Sequence, residues 1–131
     1  PNHLKIKTII EIFCNVENSK VLKNHELINK FLQEKPKNLS GGEKRVIEIL
    51  ILLYSDCKFL IFDEPFHSLS PKIIDVIKSI IKEQAKQKGI IITDHQYQNV
   101  MEISDKIILL KDGSTKIINE INDLRKFGYI F

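Results

Sequence analysis

The sequence predicts an α/β fold built on a parallel sheet, with a helical part at its N-terminal end. Two short, continuous apolar runs, FLIF at 59–62 and III at 90–92, have the length and composition of strands buried on both faces. A helical pattern lies between them, and strand, helix and strand in alternation imply a parallel pair joined by a crossover. The residues before position 36 show helical spacing instead, which sets them apart from the sheet-forming part.

In chain order, Ile9, Ile10, Ile12 and Phe13 form one helical run, and Leu27, Ile28, Phe31 and Leu32 a second. An asparagine-rich stretch, 15–18, is expected to break the chain between them, and Pro36 closes this part ahead of a short entry loop. Ser40 followed three residues later by Glu43 is a capping box, which predicts a helix from 41 to about 54. Aliphatic side chains nearly surround that helix, so it is expected to be well buried. After the strand at 59–62, Pro71 opens a helix to about 86, with Ile73, Ile74, Ile77, Ile80 and Ile81 on one side. Gly89 stops it before the second strand. A short helix near 97–103, a strand near 106–110, a turn at Asp112-Gly113, a strand near 115–118 and a last helix from about 119 complete the chain.

The bulk numbers narrow the class. With 131 residues, of which 43% are hydrophobic, the chain is one domain or part of a larger one and can form a real core. Its apolar runs fall far short of the roughly 20 residues that cross a bilayer, and no signal-like segment opens it. Any membrane link is therefore expected to pass through a partner. The net charge of +3 is spread among 17 acidic residues, which favours anionic ligands only weakly and does not point to nucleic acid. Cys14 and Cys57 lack CxxC spacing and are expected to be buried, reduced thiols of a cytosolic protein. The four histidines are too dispersed for a zinc site.

Three features converge on the crevice beyond the strand C-termini, where open parallel sheets bind ligands. Gly41 and Gly42 stand at a helix start. Each glycine there costs roughly 1 kcal/mol relative to alanine, but bare backbone lets a phosphate approach the unpaired N–H groups and the positive end of the helix dipole. Asp63 and Glu64 end the first strand, and His95 follows the second. Asp63 can hold Mg²⁺, which prefers carboxylates, phosphate oxygens and retained waters. Glu64 can polarise an attacking water as general base, and His95 can hydrogen-bond a transferring phosphate. The set fits phosphoryl transfer to water.

These motifs resemble the C-terminal half of an ATP-binding-cassette (ABC) ATPase, a P-loop NTPase-like fold with a three-layer parallel sheet. Leu39-Ser40-Gly41-Gly42-Glu43 is similar to the family signature, 59–64 to its Walker B strand and catalytic glutamate, "IITDH" to the segment carrying its switch histidine at His95, and "DKIILLKDG" to its closing strand pair. The resemblance implies that 1–57 form the helical subdomain, which docks on membrane subunits, and 58–131 the C-terminal part of the ATPase core. It also implies that Ser40, Gly41, Gly42 and Glu43 meet the γ-phosphate of ATP held by a second, head-to-tail subunit, and that Ser68, Leu69 and Ser70 form the D-loop, where the family usually has aspartate at Ser70. ATP and Mg²⁺ are the implied cofactors.

The phosphate-cradling loop G-x-x-x-x-G-K-[ST] is absent: Gly41, Gly42, Gly89, Gly113 and Gly128 are none of them followed by Lys and then Ser or Thr. The expectation is therefore a fragment of a longer ATPase, inactive alone, whose complete form is a cytoplasmic subunit on the inner face of a membrane powering transport. Alternatives are a non-transport ATPase of the same family, in chromosome maintenance, DNA repair or translation, or a docking module without hydrolysis. A coiled coil ahead of the signature would mark the chromosome-maintenance type, and 17–36 show no sustained heptad.

Overall fold

A computed structural model describes residues 2–130, which fall into two compact units divided between His95 and Gln96. In the first unit, α1 (Ile6–Phe13), α2 (Val16–Asn24) and α3 (Gly41–Tyr54) pack together, followed by strand β1 (Phe59–Asp63), helix α4 (Pro71–Gln84) and strand β2 (Gly89–Thr93). The strands pair in parallel with Phe59 opposite Gly89 and Asp63 opposite Thr93, so the crossover inferred from the alternation is present.

Helix α3 carries the core of this unit. Val46, Ile47, Ile49, Leu50, Ile51 and Leu53 are all buried along it, which accounts for the near-absence of a polar face in its sequence. Its last turn is tied down from three sides. Asn18 Nδ2 donates to the Tyr54 carbonyl at 3.0 Å, the Asp56 N–H donates to the Phe13 carbonyl at 3.3 Å, and Lys88 Nζ donates to the carbonyls of Leu53, at 2.6 Å, and Ser55. A cation placed on the last carbonyls of a helix satisfies acceptors that have no intrahelical partner and opposes the dipole.

The N-terminal part departs from expectation. The stretch 15–18 begins a helix instead of breaking the chain: Asn15 is the N-cap of α2, its side chain accepting from the Asn18 N–H at 2.8 Å. Asparagine competes with helix in mid-helix but favours its start. The apolar run 27–32 forms no long helix; it contains a 3₁₀ turn at Asn29–Phe31, with a second such turn at Pro36–Asn38.

The parallel pair also differs from the fully buried strands expected. Along β1, Leu60 and Phe62 are buried while Phe59 and Ile61 are 80% and 73% exposed, and on β2 Ile91 is 60% exposed. One face of the sheet is covered and the other is not. The Phe59 ring lies over Gly89, within 2.4 Å of where a Cβ would stand, so this glycine makes room for a cross-strand ring besides ending the preceding helical stretch.

The second unit holds α5 (Tyr97–Ile103), the antiparallel hairpin β3 (Ile107–Lys111) and β4 (Ser114–Ile118), and α6 (Ile121–Lys126). Asp112 and Gly113 turn the hairpin with φ of 50° and 72°, the left-handed pair that a two-residue type I′ turn requires. Leu109, Ile118 and Leu124 form its small core, with Tyr97 and Met101 packed against it. Among the described residues no helix is long and apolar enough to cross a membrane.

Candidate functional site

The edge beyond the C-termini of β1 and β2 collects Asp63, Glu64 and His95. Parallel pairing puts Asp63 beside Thr93, whose hydroxyl donates to the Asp63 carboxylate at 2.5 Å. Glu64 leaves the strand with φ of 48°, a left-handed conformation costing a non-glycine residue on the order of 1–3 kcal/mol. Four hydrogen bonds hold it there. Its N–H donates to the Thr93 carbonyl at 2.7 Å, the His67 N–H donates to its carbonyl at 3.2 Å, and Arg45 Nη2 donates to the carbonyls of Glu64 and Asp63 at 2.8 and 3.1 Å. The turn is fixed further on, where the Phe66 N–H donates to Asp94 Oδ2 at 3.1 Å and the Phe66 ring is fully buried.

This conformation directs the two carboxylates to different partners. Asp63 faces Thr93, and Glu64 Oε1 lies 3.1 Å from Nε2 of His95, whose side chain is 86% exposed. Both groups are therefore within reach of a solvent-borne substrate. For Mg²⁺, the donor set offers one exposed strand-end carboxylate, and no cluster of three or more metal-ligating side chains occurs among the described residues. That suits an ion that takes most of its ligands from phosphate and water.

The signature residues form a second feature of the same unit. The capping box is complete: Glu43 N–H donates to Ser40 Oγ at 3.3 Å, while the Ser40 N–H and hydroxyl donate to Glu43 Oε2 at 2.9 and 2.7 Å. Those two donors to its carboxylate hold Glu43 below the usual carboxylate range. The N–H groups of Gly41 and Gly42 belong to the first turn, which has no intrahelical acceptors. A Cβ on Gly41 would meet nothing within 4 Å and one on Gly42 only the Ser68 carbonyl at 3.9 Å, so the bare backbone faces open space. No crowding within the chain asks for these glycines.

Ser68, at φ of 61°, Leu69 and Ser70 connect the Glu64 turn to α4, with Ser70 at the N-cap position and its side chain making no capping bond. With Gly42, Glu43 and Lys30 they line a cavity of about 230 Å³ beside the signature. Arg45 had no role in the sequence reading. Its position two residues after Glu43 was visible, but the carbonyls it bonds are 18 and 19 residues away and no local pattern announces them. Of the two cysteines, Cys14 is buried, its thiol pushed up to about 11 by burial, whereas Cys57 is exposed, against expectation, in the loop between α3 and β1.

A parallel strand pair with carboxylates and a histidine at its C-terminal edge, beside a glycine-opened helix, fits part of a P-loop NTPase-like α/β fold. Over 98% of its length the chain superposes, at a TM-score of 0.78 and 21% identity, on 58% of a solved ATP-binding subunit of an ABC transporter. The fold is shared more widely: a structure of SMC ATPases matches with a TM-score of 0.54 and 23% identity, over 72% of this chain and 62% of that one. In sequence, the ABC transporter family profile matches residues 11–67. The energy-coupling factor transporter ATP-binding protein EcfA3 of Oenococcus oeni is 39% identical over 72% of this chain and 33% of its own length. The chain belongs to the ABC transporter ATPase family. It spans about a third of the length of the curated relatives it matches.

Proposed function

We propose that this chain is the signature- and Walker B-bearing part of the ATP-binding subunit of an ABC transporter, which hydrolyses ATP to drive transport through membrane partner subunits. The observation that carries this reading is the Glu64–His95 contact of 3.1 Å at the edge where Asp63 also ends its strand. A buried-core role needs no such cluster of exposed, charge-bearing groups at a strand terminus. The 39% identity to an energy-coupling factor subunit favours transport over the chromosome-maintenance ATPases that share the fold.

In this reading Glu64 accepts a proton from the attacking water, and His95, within hydrogen-bond reach of it, orients the carboxylate and contacts the transferring phosphate. Asp63, steadied by Thr93, holds Mg²⁺ through water; the ion neutralises charge on the phosphates when bound. Ser40, Gly41, Gly42 and Glu43 present the helix start to ATP on a second, head-to-tail subunit, and Ser68, Leu69 and Ser70 lie between the two sites. Residues 1–57 serve as the helical subdomain that meets the membrane subunits and 58–131 as part of the ATPase core, on the inner face of the membrane. The residues that cradle ATP phosphates are supplied from outside this chain, which by itself does not hydrolyse ATP.

The test is Glu64→Gln in the complete ATPase, measuring Mg·ATP binding and turnover. Binding should persist while turnover falls by about 10²-fold or more, the usual scale for losing a positioned base. Unchanged turnover removes Glu64 from that role.

A further inference from the structure

We propose that Arg45 is a positioning residue for Glu64, tying the placement of the general base to the signature helix of the same chain; this rests on the ATPase reading above. Glu64 sits in a left-handed conformation that its own side chain does not favour, so its carboxylate direction depends on what holds the backbone. Arg45 Nη2 bonds both carbonyls flanking the Glu64 amide and α-carbon, at 3.1 Å to Asp63 and 2.8 Å to Glu64. Arg45 lies three residues after Gly42 on the first turns of α3, and residues three apart stand on the same helix face. The backbone that would meet one phosphate and the turn that aims the base are thereby joined by a single half-buried guanidinium.

The neighbouring cation does not share the task. Lys44 reaches towards Glu48 on the helix surface, at 3.8 Å. Both bonds come from one guanidinium nitrogen, so a lysine at position 45 could bring a compact ammonium to this pair of carbonyls, without the rigid planar group that sets its direction. Arg45 bonds the carbonyls of Asp63 and Glu64 while the Glu64 carboxylate pairs with His95, so its effect on catalysis runs through the backbone of Glu64.

The test is a double-mutant cycle in the complete ATPase, with Arg45→Met, Arg45→Lys and Glu64→Gln alone and combined, reading kcat and KM for Mg·ATP, with thermal melts alongside. Arg45→Met should lower kcat by about 10-fold to 10²-fold, the scale of a misplaced catalytic group, with KM for ATP unchanged. Arg45→Lys should recover part of that loss, and it keeps the test available where Arg45→Met fails to fold. In the Glu64→Gln background Arg45→Met should cost nothing further, since its effect passes through a carboxylate already gone. An equal loss in both backgrounds, or a kcat unmoved by either Arg45 variant while Glu64→Gln is slow, overturns the positioning role alone. A Glu64→Gln enzyme as fast as wild type overturns the base assignment and this inference with it.

Discussion

Glu43 and Glu64 lie on either side of the Arg45 bonds that join α3 to the turn after β1, and their surroundings differ. Glu43 is occupied: two donors from Ser40 hold its carboxylate and lower its pKa, the side-chain hydroxyl contributing most. A carboxyl whose folded pKa lies below its unfolded value stabilises the fold above the ordinary carboxylate range, and that contribution is lost as pH falls through the lowered value. The start of α3 should therefore loosen in acid, below pH ~4, seen as faster amide exchange at residues 41–43. Glu43→Gln should remove that pH dependence while leaving the rest of the helix protected. Glu64 is instead held by its backbone, which leaves its side chain directed at His95. In the proposed account that contrast leaves the Glu64 carboxylate, and not that of Glu43, available for proton transfer.

At the scale of elements, α3 is anchored at both ends, since its first turn carries the signature with its capping box and its last turn is capped by Lys88, the residue before β2. Burial pushes the Lys88 ammonium down from its usual range, so hydrogen bonds to the Leu53 and Ser55 carbonyls are what retain it there. Lys88→Met keeps the apolar stem and removes these bonds; it should lower the folding stability by about 1.5–3 kcal/mol, the range for hydrogen bonds to a charged group. How legible each element was follows from how local its cause is. Capping at Ser40, Pro71 at the head of α4 and the Asp112-Gly113 turn are set by neighbouring residues, and each element begins or turns where those residues imply. Helix α2 is not legible locally because an asparagine suits a break as well as an N-cap, and Asn15 becomes the N-cap in a helix that packs on α1. The run 27–32 shows the converse: its apolar spacing suits a helix, but the chain there forms only a short 3₁₀ turn.

At the scale of the whole molecule, the same limit governs the site. Asp63, Glu64 and His95 could be placed on one edge from strand order alone, because a parallel pair aligns its C-termini. Arg45 could not, since its partners are distant in sequence. Nor could the exposed sheet face, because a continuous apolar run reads as buried on both sides whether or not anything covers it. Phe59, Ile61 and Ile91 stand open on that face, on a chain matching about a third of its curated relatives' length. In the proposed account these residues and the catalytic edge are completed by a polypeptide carrying the phosphate-cradling loop.

The measurement that tests this most directly is titration calorimetry of Mg·ATP into the chain, beside the same chain mixed with a separately expressed ABC N-terminal half that carries the G-x-x-x-x-G-K-[ST] loop, with that half alone as reference. The account predicts no binding heat with the chain alone, and affinity in the mixture exceeding that of the loop-bearing half by itself. Tight binding by the chain alone, or a mixture no tighter than the loop-bearing half, would contradict it.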